Sequence, residues 1–429
     1  MKRSQAVTRR SFLKCSAASV AVPYLVSSSA LAAPGRPGAN ERVIVGCIGA
    51  GFRTRLLMDQ LPKDGQLAAI ADCNIHQAFS FRKERGADWD IYGGHYPLLA
   101  RKDIDAVIIG TQEYQRVLPA IHAVQAGKDV YAEKPLTLYI GEGRVLISHV
   151  RKQRAIFQVG TQQRSMEMNR VACECVRSGQ LGEVKYVSAV NYPGSGPSPS
   201  IDDYEQQELP RGFNWELHLN QSPWRPFGPG ATVGRNYVGG EMTNWGAHGV
   251  DQIQWALGKD DTLPTEFELI TPGVNGQVNA RYADGTEIRF ELPTSGPMGG
   301  GIFHCEKGKL EINRNKFMSN PIEIREELLK KVDEAQEEVK WSDQTALWQA
   351  QWHMQNWLDC IKTRQRPKAD VEIGHRSIAI CHLANITRYV GKVGEVLKFD
   401  PVTERFVDND EANRWNDRPR RAGYELPEV

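Results

Sequence analysis

Residues 43–51 read Val-Ile-Val-Gly-Cys-Ile-Gly-Ala-Gly, a short apolar run that leads into a glycine-rich turn. The run is typical of a buried strand, and the pattern after the turn predicts a helix. The first glycine, Gly49, permits the tight bend, and the second, Gly51, lets a pyrophosphate approach the helix N-terminus. The usual third small position holds Thr54, so this dinucleotide-binding pattern is incomplete.

An acidic residue follows the next apolar run at the spacing that a dinucleotide-binding fold requires. Asp72 lies 21 residues beyond Gly51, at the end of the second predicted strand. A carboxylate at this position accepts hydrogen bonds from both ribose hydroxyls and repels a 2′-phosphate. The sequence therefore predicts NAD as the cofactor, in preference to NADP.

Strands and helices alternate in the first part of the chain. The predicted strands cover 43–48, 67–71, 106–109, 130–132 and 156–159, and the predicted helices lie near 53–61, 76–85, 116–126 and 140–153. Short apolar strands separated by helices form a parallel sheet that is covered on both faces. We therefore assign residues 41–160 to a doubly wound α/β Rossmann domain, with its ligand site at the carboxyl ends of the strands.

A second domain is predicted over residues 161–399. Its strands are expected at 184–190, 265–269, 277–282, 286–291, 302–305 and 309–312, and its helices near 345–363 and 374–390. Adjacent strands joined by tight turns predict a large, open, mostly antiparallel or mixed sheet in an α+β domain that binds substrate. A long insertion at 191–240 is rich in Pro, Gly and aromatic residues, and residues 400–429 form a polar tail.

The N-terminus has the character of an export signal. Residues 8–14 read Thr-Arg-Arg-Ser-Phe-Leu-Lys, an apolar stretch follows, and Ala30-Leu31-Ala32 is typical of a cleavage site. This predicts a twin-arginine signal peptide at 1–32, a linker at 33–40, and export to the periplasm through the twin-arginine machinery. The alternative is an N-terminal anchor that is not cleaved. Because this machinery moves folded proteins, the cofactor can bind before export.

Charge and composition exclude some partners. The net charge is +1, and without the five basic residues of the first 32 positions it is −4. A mildly acidic protein is not typical of nucleic-acid binding, so we expect no nucleic-acid partner. No His/Cys cluster has the spacing of metal ligands, and we predict no metal site.

Two further blocks resemble a known family. Residues 131–136 read Tyr-Ala-Glu-Lys-Pro-Leu after the fourth predicted strand, and residues 239–248 read Gly-Gly-Glu-Met-Thr-Asn-Trp-Gly-Ala-His. Together with 43–51 and 105–127, they resemble the Gfo/Idh/MocA family, which includes glucose–fructose oxidoreductase and inositol dehydrogenase. The resemblance runs from about residue 42 to the tail. It implies hydride transfer between a sugar or cyclitol carbon and nicotinamide, and a homo-oligomer that pairs through the open sheet.

The resemblance places the family's catalytic lysine at Lys134 and its catalytic histidine at His248. An ammonium group stabilises developing alkoxide charge, and an imidazole can take the hydroxyl proton. Relatives commonly have Asp four residues before this histidine, whereas this chain has Asn244, which can orient a hydroxyl but carries no charge. Asp251, three residues after His248, could orient the imidazole or be structural.

The resemblance also implies cofactor and substrate contacts. The predicted cofactor-binding residues are Gly49, Gly51, Phe52, Arg53, Asp72, Thr111, Gln112, Glu133 and Lys134. Relatives often have His where this chain has Tyr114, which predicts altered contacts there. Arg164 is expected to face the cleft, with a surface ion pair as the alternative. Trp224 and Tyr237 of the insertion are substrate candidates, and Trp224 could stack on a sugar ring or pack within the loop.

These observations predict an exported NAD-dependent oxidoreductase that acts on a sugar or polyol. Free NAD should be scarce outside the cytoplasm. A tightly bound cofactor must therefore return to its starting oxidation state without leaving the protein. Restoration by a second sugar gives sugar–sugar oxidoreduction. Restoration by the same substrate gives glycoside cleavage through transient oxidation and elimination, as in some relatives. A third hypothesis, a non-catalytic sugar-binding protein, is supported by Asn244 and opposed by the intact Lys134 and His248.

Overall fold

The computed structural model describes residue 38, residues 41–332 and residues 350–429. The predicted signal peptide, all of the predicted linker except residue 38, and the start of the helix predicted near 345–363 lie outside the described residues. The described residues from Val43 onward form one compact unit. Within the described ranges, no helix is both long enough and apolar enough to cross a membrane.

The first domain is built on a six-stranded parallel sheet. Its elements are β1 (Val43–Ile48), α1 (Phe52–Asp59), β2 (Gly65–Ala71), α2 (Ile75–Glu84), β3 (Asp90–Tyr92), α3 (His95–Leu99), β4 (Ala106–Ile109), α4 (Glu113–Gln125), β5 (Asp129–Ala132), α5 (Ile140–Gln153) and β6 (Phe157–Val159). The strand order is β3-β2-β1-β4-β5-β6. The order reverses direction between β1 and β4, where an open α/β sheet binds its ligand. The doubly wound prediction is confirmed.

The second domain is built on a nine-stranded mixed sheet. Its elements are a 3₁₀ turn (Gln162–Ser165), α6 (Glu167–Arg177), β7 (Val184–Val190), a 3₁₀ turn (Ile201–Asp203), α7 (Trp215–Leu219), α8 (Glu241–Leu257), β8 (Glu266–Leu269), β9 (Val278–Arg281), β10 (Glu287–Leu292), β11 (Gly301–Cys305), β12 (Gly308–Asn313), β13 (Lys316–Asn320), α9 (Ile322–Leu329), α10 (Gln351–Thr363), α11 (Val371–Val390), β14 (Val396–Asp400), β15 (Arg405–Phe406) and α12 (Asp410–Asn413). The order is β13-β12-β11-β7-β10-β9-β8-β14-β15. β7 and β10 pair in parallel and the other neighbours pair antiparallel, which confirms the predicted mixed sheet.

Both faces of the parallel sheet are buried because alternate strand residues point to opposite sides. On one face, Cys47 and Ile108 belong to a core that also contains residues of α1, α2 and α10. On the other, Val107 and Ile109 belong to a core with residues of α4 and α5. The helix α10, assigned from sequence to the second domain, thus packs on the first through residues such as Trp357.

Several elements depend on distant partners and were not predicted. β3 has three residues and pairs with β2, and β14 pairs with β8 and β15. The boundary predicted at residue 399 falls inside the β14–β15 hairpin, where Phe399 pairs with Phe406. The tail also contacts the first domain, because the Asn416 carbonyl accepts the Gly141 N–H at 2.8 Å. Residues 400–429 are therefore an integral part of the fold.

Candidate active site

The turn after β1 leaves room for a phosphate group at the N-terminus of α1. Gly49 has a φ of +91°, and a Cβ there would lie 3.1 Å from the backbone of Gly110. Gly51 precedes α1 without a side-chain cap, and a Cβ built on it meets nothing within 4 Å. The first N–H groups of a helix have no partner within the helix, so the open space at Gly51 suits an anion.

Thr54 stands where the third small residue of this turn is usual, and the neighbouring strand compensates for it. Thr54 is buried on α1, and its Oγ1 lies where a Cβ of Gly110 would be. Glycine at position 110 therefore provides the space that a third glycine would otherwise provide. The incomplete pattern still allows α1 to pack closely on the sheet.

A cavity of about 370 Å³ extends from the glycine turn past the end of β2. Asp72, which lines it, accepts the Ala50 N–H at 2.7 Å through Oδ2 and the Asn74 N–H at 2.8 Å through Oδ1. Burial raises the pKa of Asp72, and these two backbone hydrogen bonds oppose that rise. Each carboxylate oxygen can accept a further hydrogen bond, as from a ribose hydroxyl.

A second cavity of about 610 Å³ adjoins the first and contains the predicted catalytic residues in its wall. The two cavities share Gly51, Phe52, Gly110, Thr111 and Gln112. Lys134, Asn244 and His248 line the second cavity. The cleft therefore runs from Asp72 at one end to the three predicted catalytic side chains at the other.

Lys134 and Asn244 are in direct contact. Lys134 follows β5, and its Nζ donates to Asn244 Oδ1 at 2.6 Å and to the Asn244 carbonyl at 3.3 Å. Asn244 lies in the first turns of α8, and its Nδ2 donates to Glu241 at 3.1 Å. Burial lowers the pKa of Lys134 to about 8. The ammonium group can thus exchange a proton near neutral pH.

His248 lies one turn after Asn244 on α8 and is 2% exposed. Its Nδ1 is buried and has no hydrogen-bond partner within the described part of the chain. Burial, together with the positive charges of Lys134, Arg314 and Arg53, holds the pKa of His248 well below its ordinary value. The imidazole is therefore neutral at pH 7, and its Nδ1 has hydrogen-bonding capacity that no described residue uses.

The residues present fit a nicotinamide dinucleotide. The backbone at Gly51 has open space for phosphates, and Asp72 has capacity for ribose hydroxyls. Thr111 lies between the two cavities, and its buried Oγ1 has no partner among residues 41–332 and 350–429. Buried polar atoms are rarely left without a partner, so Thr111 indicates a ligand or water at this point.

Two predicted cofactor residues form an ion pair with each other. Arg53 Nε donates to Glu133 Oε1 at 2.8 Å, and Glu133 Oε2 accepts the Lys134 N–H at 3.2 Å. The pair joins α1 to the end of β5 in the wall of the second cavity. A direct contact of either residue with the cofactor stays a prediction.

Arg164 does not face the cleft. It is 2% exposed, and its Nε donates to both carboxylate oxygens of Asp251 at 2.9 Å. Its Nη1 and Nη2 donate to Asp260 at 2.9 and 2.7 Å. Asp251 also accepts from Ser377 at 2.9 Å, so this carboxylate binds Arg164 and Ser377 and does not orient His248. The predicted substrate contact of Arg164 is wrong, because two distant carboxylates bind its guanidinium.

The aromatic substrate candidates lie away from the cleft. Tyr237 is fully buried, its hydroxyl donates to the Pro223 carbonyl at 2.7 Å, and its ring packs edge-on against Tyr114. The predicted substrate contact of Tyr237 is therefore wrong. Trp224 is 57% exposed and lines neither of the two cavities of the described structure. A stacking role for Trp224 would require a substrate that extends beyond the cleft.

Sequence reasoning missed two sets of residues. Glu113 lines the second cavity, and it accepts the Gly239 N–H at 2.5 Å and the Thr243 hydroxyl at 3.2 Å. Burial raises the pKa of Glu113 to about 7. The only signal for Glu113 in the sequence was its place in the divergent block 111–116.

The first cavity is also lined by insertion residues Phe213, Leu217, His218 and Asn220. Their only signal was the length of the loop.

Comparison with known proteins identifies the family. Residues 41–161 match the "Oxidoreductase family, NAD-binding Rossmann fold" of Gfo/Idh/MocA proteins, and residues 200–426 match the "Oxidoreductase family, C-terminal alpha/beta domain". The chain belongs to the Gfo/Idh/MocA family. It is a member of an oxidoreductase family that binds NAD, which confirms the resemblance and the predicted cofactor.

Individual relatives include dehydrogenases. Trans-1,2-dihydrobenzene-1,2-diol dehydrogenase of Bos taurus is 28% identical over 148 residues, which are 34% of this chain and 43% of the relative. Inositol 2-dehydrogenase of Pseudomonas syringae pv. syringae is 30% identical over 123 residues, 28% of this chain and 35% of the relative. The chain thus matches less than half the length of each of these two relatives.

Solved structures share the fold at lower identity. The WlbA dehydrogenase from Bordetella pertussis, solved with NADH and UDP-GlcNAcA, is 16% identical with a TM-score of 0.60. The alignment covers 85% of this chain and 99% of that one. At this identity the similarity establishes the architecture.

Proposed function

We propose that the protein is an exported oxidoreductase that transfers a hydride between a sugar or polyol carbon and a tightly bound NAD. The observation that supports it is the grouping of Lys134, Asn244 and His248 around one cavity, next to the cavity that suits the dinucleotide. NAD is proposed over NADP because the Asp72 carboxylate would repel a 2′-phosphate.

In this proposal each of the three side chains has a role. When bound, the cofactor supplies the hydride acceptor. Lys134 Nζ binds the reacting hydroxyl oxygen and stabilises the negative charge that develops there. The neutral His248 accepts the hydroxyl proton on a ring nitrogen. Asn244 Oδ1 fixes the ammonium group of Lys134, at 2.6 Å.

The test begins with the cofactor. Protein purified in its folded state is denatured, and the released nicotinamide is identified as NAD or NADP. The loaded protein is then mixed with a panel of sugars and polyols while the absorbance of reduced nicotinamide is followed. We expect at least one compound to change it, and a change about 10²–10³-fold slower in a Lys134→Met variant. Release of no nicotinamide, with none bound on addition, would contradict the proposal.

Redox-neutral glycoside cleavage is a second candidate, favoured by two further carboxyl groups at the same cavity. Glu241 accepts from Asn244, and Glu113 is buried with a pKa raised to about 7. Oxidation of a glycoside hydroxyl to a ketone acidifies the adjacent C–H. A base can then remove that proton, the aglycone leaves with a proton from an acid, water adds to the resulting C=C bond, and the hydride returned to the ketone restores the hydroxyl. Release of a chromogenic aglycone without net change in cofactor absorbance would support this candidate, and its absence would favour net hydride transfer.

We also propose a homo-oligomer, a dimer or tetramer, that pairs through the second sheet. Helices α6, α8 and α11 contact strands of this sheet. On the sheet, Tyr186 and His304 stack with ring centroids 4.1 Å apart, and the Arg289 guanidinium lies 4.0 Å from the Tyr186 ring centroid. Light scattering at micromolar concentration tests this, and a monomer would contradict it.

Export is proposed on the sequence of residues 8–14 alone. Replacing both arginines, Arg9→Lys with Arg10→Lys, should keep the protein in the cytoplasm of a host with a twin-arginine pathway. Unchanged export of this variant would contradict the proposed route.

A further inference from the structure

A segment of the second domain covers part of the cofactor cavity. We define residues 211–222, which include α7, as the strap. Phe213, Leu217 and His218 of the strap line the 370 Å³ cavity together with Asp72 of the first domain. The wall of this cavity is thus built from both domains at the end where the ribose-binding carboxylate lies.

Backbone hydrogen bonds join the strap to the loop that follows β2. The Asn214 N–H donates to the Cys73 carbonyl at 2.7 Å, and the Ile75 N–H donates to the Gly212 carbonyl at 3.2 Å. An isolated antiparallel bridge lies between these two contacts. The strap is therefore attached to the residues directly after Asp72.

His218 joins the strap to the start of α4. Its Nδ1 lies 3.1 Å from Gln115 Nε2 and 3.5 Å from Cys73 Sγ, and its Nε2 lies 2.9 Å from the Tyr114 hydroxyl. Because Nδ1 accepts from the Gln115 amide, the consistent tautomer carries its proton on Nε2 and donates to Tyr114. Tyr114, which replaces a histidine common in relatives, therefore makes its contact with the strap.

The C-terminal residues hold the other end of the strap. Arg421 Nη2 donates to the Asn220 carbonyl at 2.7 Å. Arg418 is buried, and it donates to Ser222 Oγ at 2.7 Å and to the Tyr114 carbonyl at 2.9 Å. The strap is thus fixed to the first domain by its own side chains and by the tail.

We propose that the strap is the outer wall of the adenosine-binding site, and that the cofactor leaves only when the strap detaches from α4 and from the loop after β2. This inference rests on the nicotinamide cofactor of the proposed function. Slow cofactor exchange follows from it, since several hydrogen bonds must break together. A slowly exchanging cofactor must be restored in place by a substrate, as sugar–sugar oxidoreduction and redox-neutral cleavage both require.

The experiment measures release of NADH. Protein loaded with NADH is mixed with excess NAD⁺, and the loss of bound-NADH fluorescence is followed. His218→Ala removes the imidazole contacts with Tyr114 and Gln115 of α4 and should speed release about 10–100-fold, because each lost hydrogen bond weakens the closed state. Tyr114→Phe removes one hydroxyl and should give a smaller increase. Leu209→Ala, an exposed residue of the same insertion outside the strap, is the control and should match wild type.

Equal release rates for His218→Ala, Tyr114→Phe and Leu209→Ala, in variants with native circular dichroism, would overturn this inference alone. Protein that retains no NADH at all would contradict both this inference and the proposed function. If His218→Ala does not fold, Tyr114→Phe and hydrogen exchange at the Asn214 amide decide. We expect NADH to slow that exchange, and an equal exchange rate with and without NADH would overturn the proposal.

Discussion

Helix α8 carries two polar clusters about one turn apart, and their surroundings are opposite. At the first, Asn244 contacts Lys134 and the buried Nδ1 of His248 has no hydrogen-bond partner in the described residues. At the second, Asp251 binds Arg164, whose three guanidinium nitrogens all donate to acceptors. The first cluster borders a cavity and the second lines neither cavity described above.

This difference separates a reactive site from a structural one better than residue type does. Each cluster combines a cation, the half-buried Lys134 or the buried Arg164, with a polar side chain of α8. A buried polar atom without a partner costs free energy, so it persists where a ligand or water can satisfy it. A cluster with every atom satisfied has no capacity left for a substrate, and its role is to hold elements together. Four predictions test this division.

The largest effect is expected at His248. Replacement by Ala removes the proton acceptor and should lower the rate of hydride transfer by about 10²–10⁴-fold. The thermal midpoint should change little, because Nδ1 has no hydrogen bond within the described chain to lose. The rate is measured as kcat on the best sugar from the screen. A wild-type kcat in the variant would show that His248 is not a catalytic residue.

The next effect concerns stability and not rate. Arg164→Ala leaves Asp251 buried without its cation, which should lower the free energy of unfolding by about 3–5 kcal/mol. Urea denaturation measures it. Arg281→Ala, which breaks the ion pairs of a side chain that is 48% exposed with Glu266 and Glu287, is the matched control with a small effect. Equal losses in the two variants would contradict the structural assignment of Arg164.

Lys134→Met should lower kcat by about 10²–10³-fold, since it removes one donor to the developing alkoxide. Bound NAD should remain, because the variant leaves the proposed phosphate contact at Gly51 and the proposed ribose contact at Asp72 unchanged. Replacement of the exposed Lys185 by Met is the control for a lost surface charge. Activity that survives the loss of both Lys134 and His248 would contradict the assignment of the first cluster as the catalytic site.

The smallest effect is a shift in pH dependence. Burial lowers the pKa of Lys134 to about 8, so a reaction that needs the ammonium form should slow as the pH rises through about 8. Asn244→Asp places a negative charge beside Nζ, which favours the ammonium form. The decline in rate should therefore occur at a pH about one unit higher. If the rate of the variant declines at the same pH as that of the wild type, a group other than Lys134 titrates. Activity regained only in Asn244→Asp would identify the wild-type site as a retired catalyst.

Features that depend on short stretches of chain could be predicted from the sequence. The strand before Gly49, the open turn at Gly51 and the position of Asp72 follow from hydrophobic period, glycine conformation and local spacing. Lys134 and His248 were recognised from short blocks that resemble a family. Each of these signals is complete within a few residues or within one strand–helix unit.

Which polar residues face the cleft depends on contacts between distant parts of the chain and could not be predicted. Arg164 meets Asp251, 87 residues away, and His218 meets Tyr114, 104 residues away. β3 and β14 likewise became strands because β2 and β8 supply their hydrogen-bond partners. The physical reason is the same in each case: charge satisfaction, strand pairing and cavity walls depend on groups that no local pattern brings together.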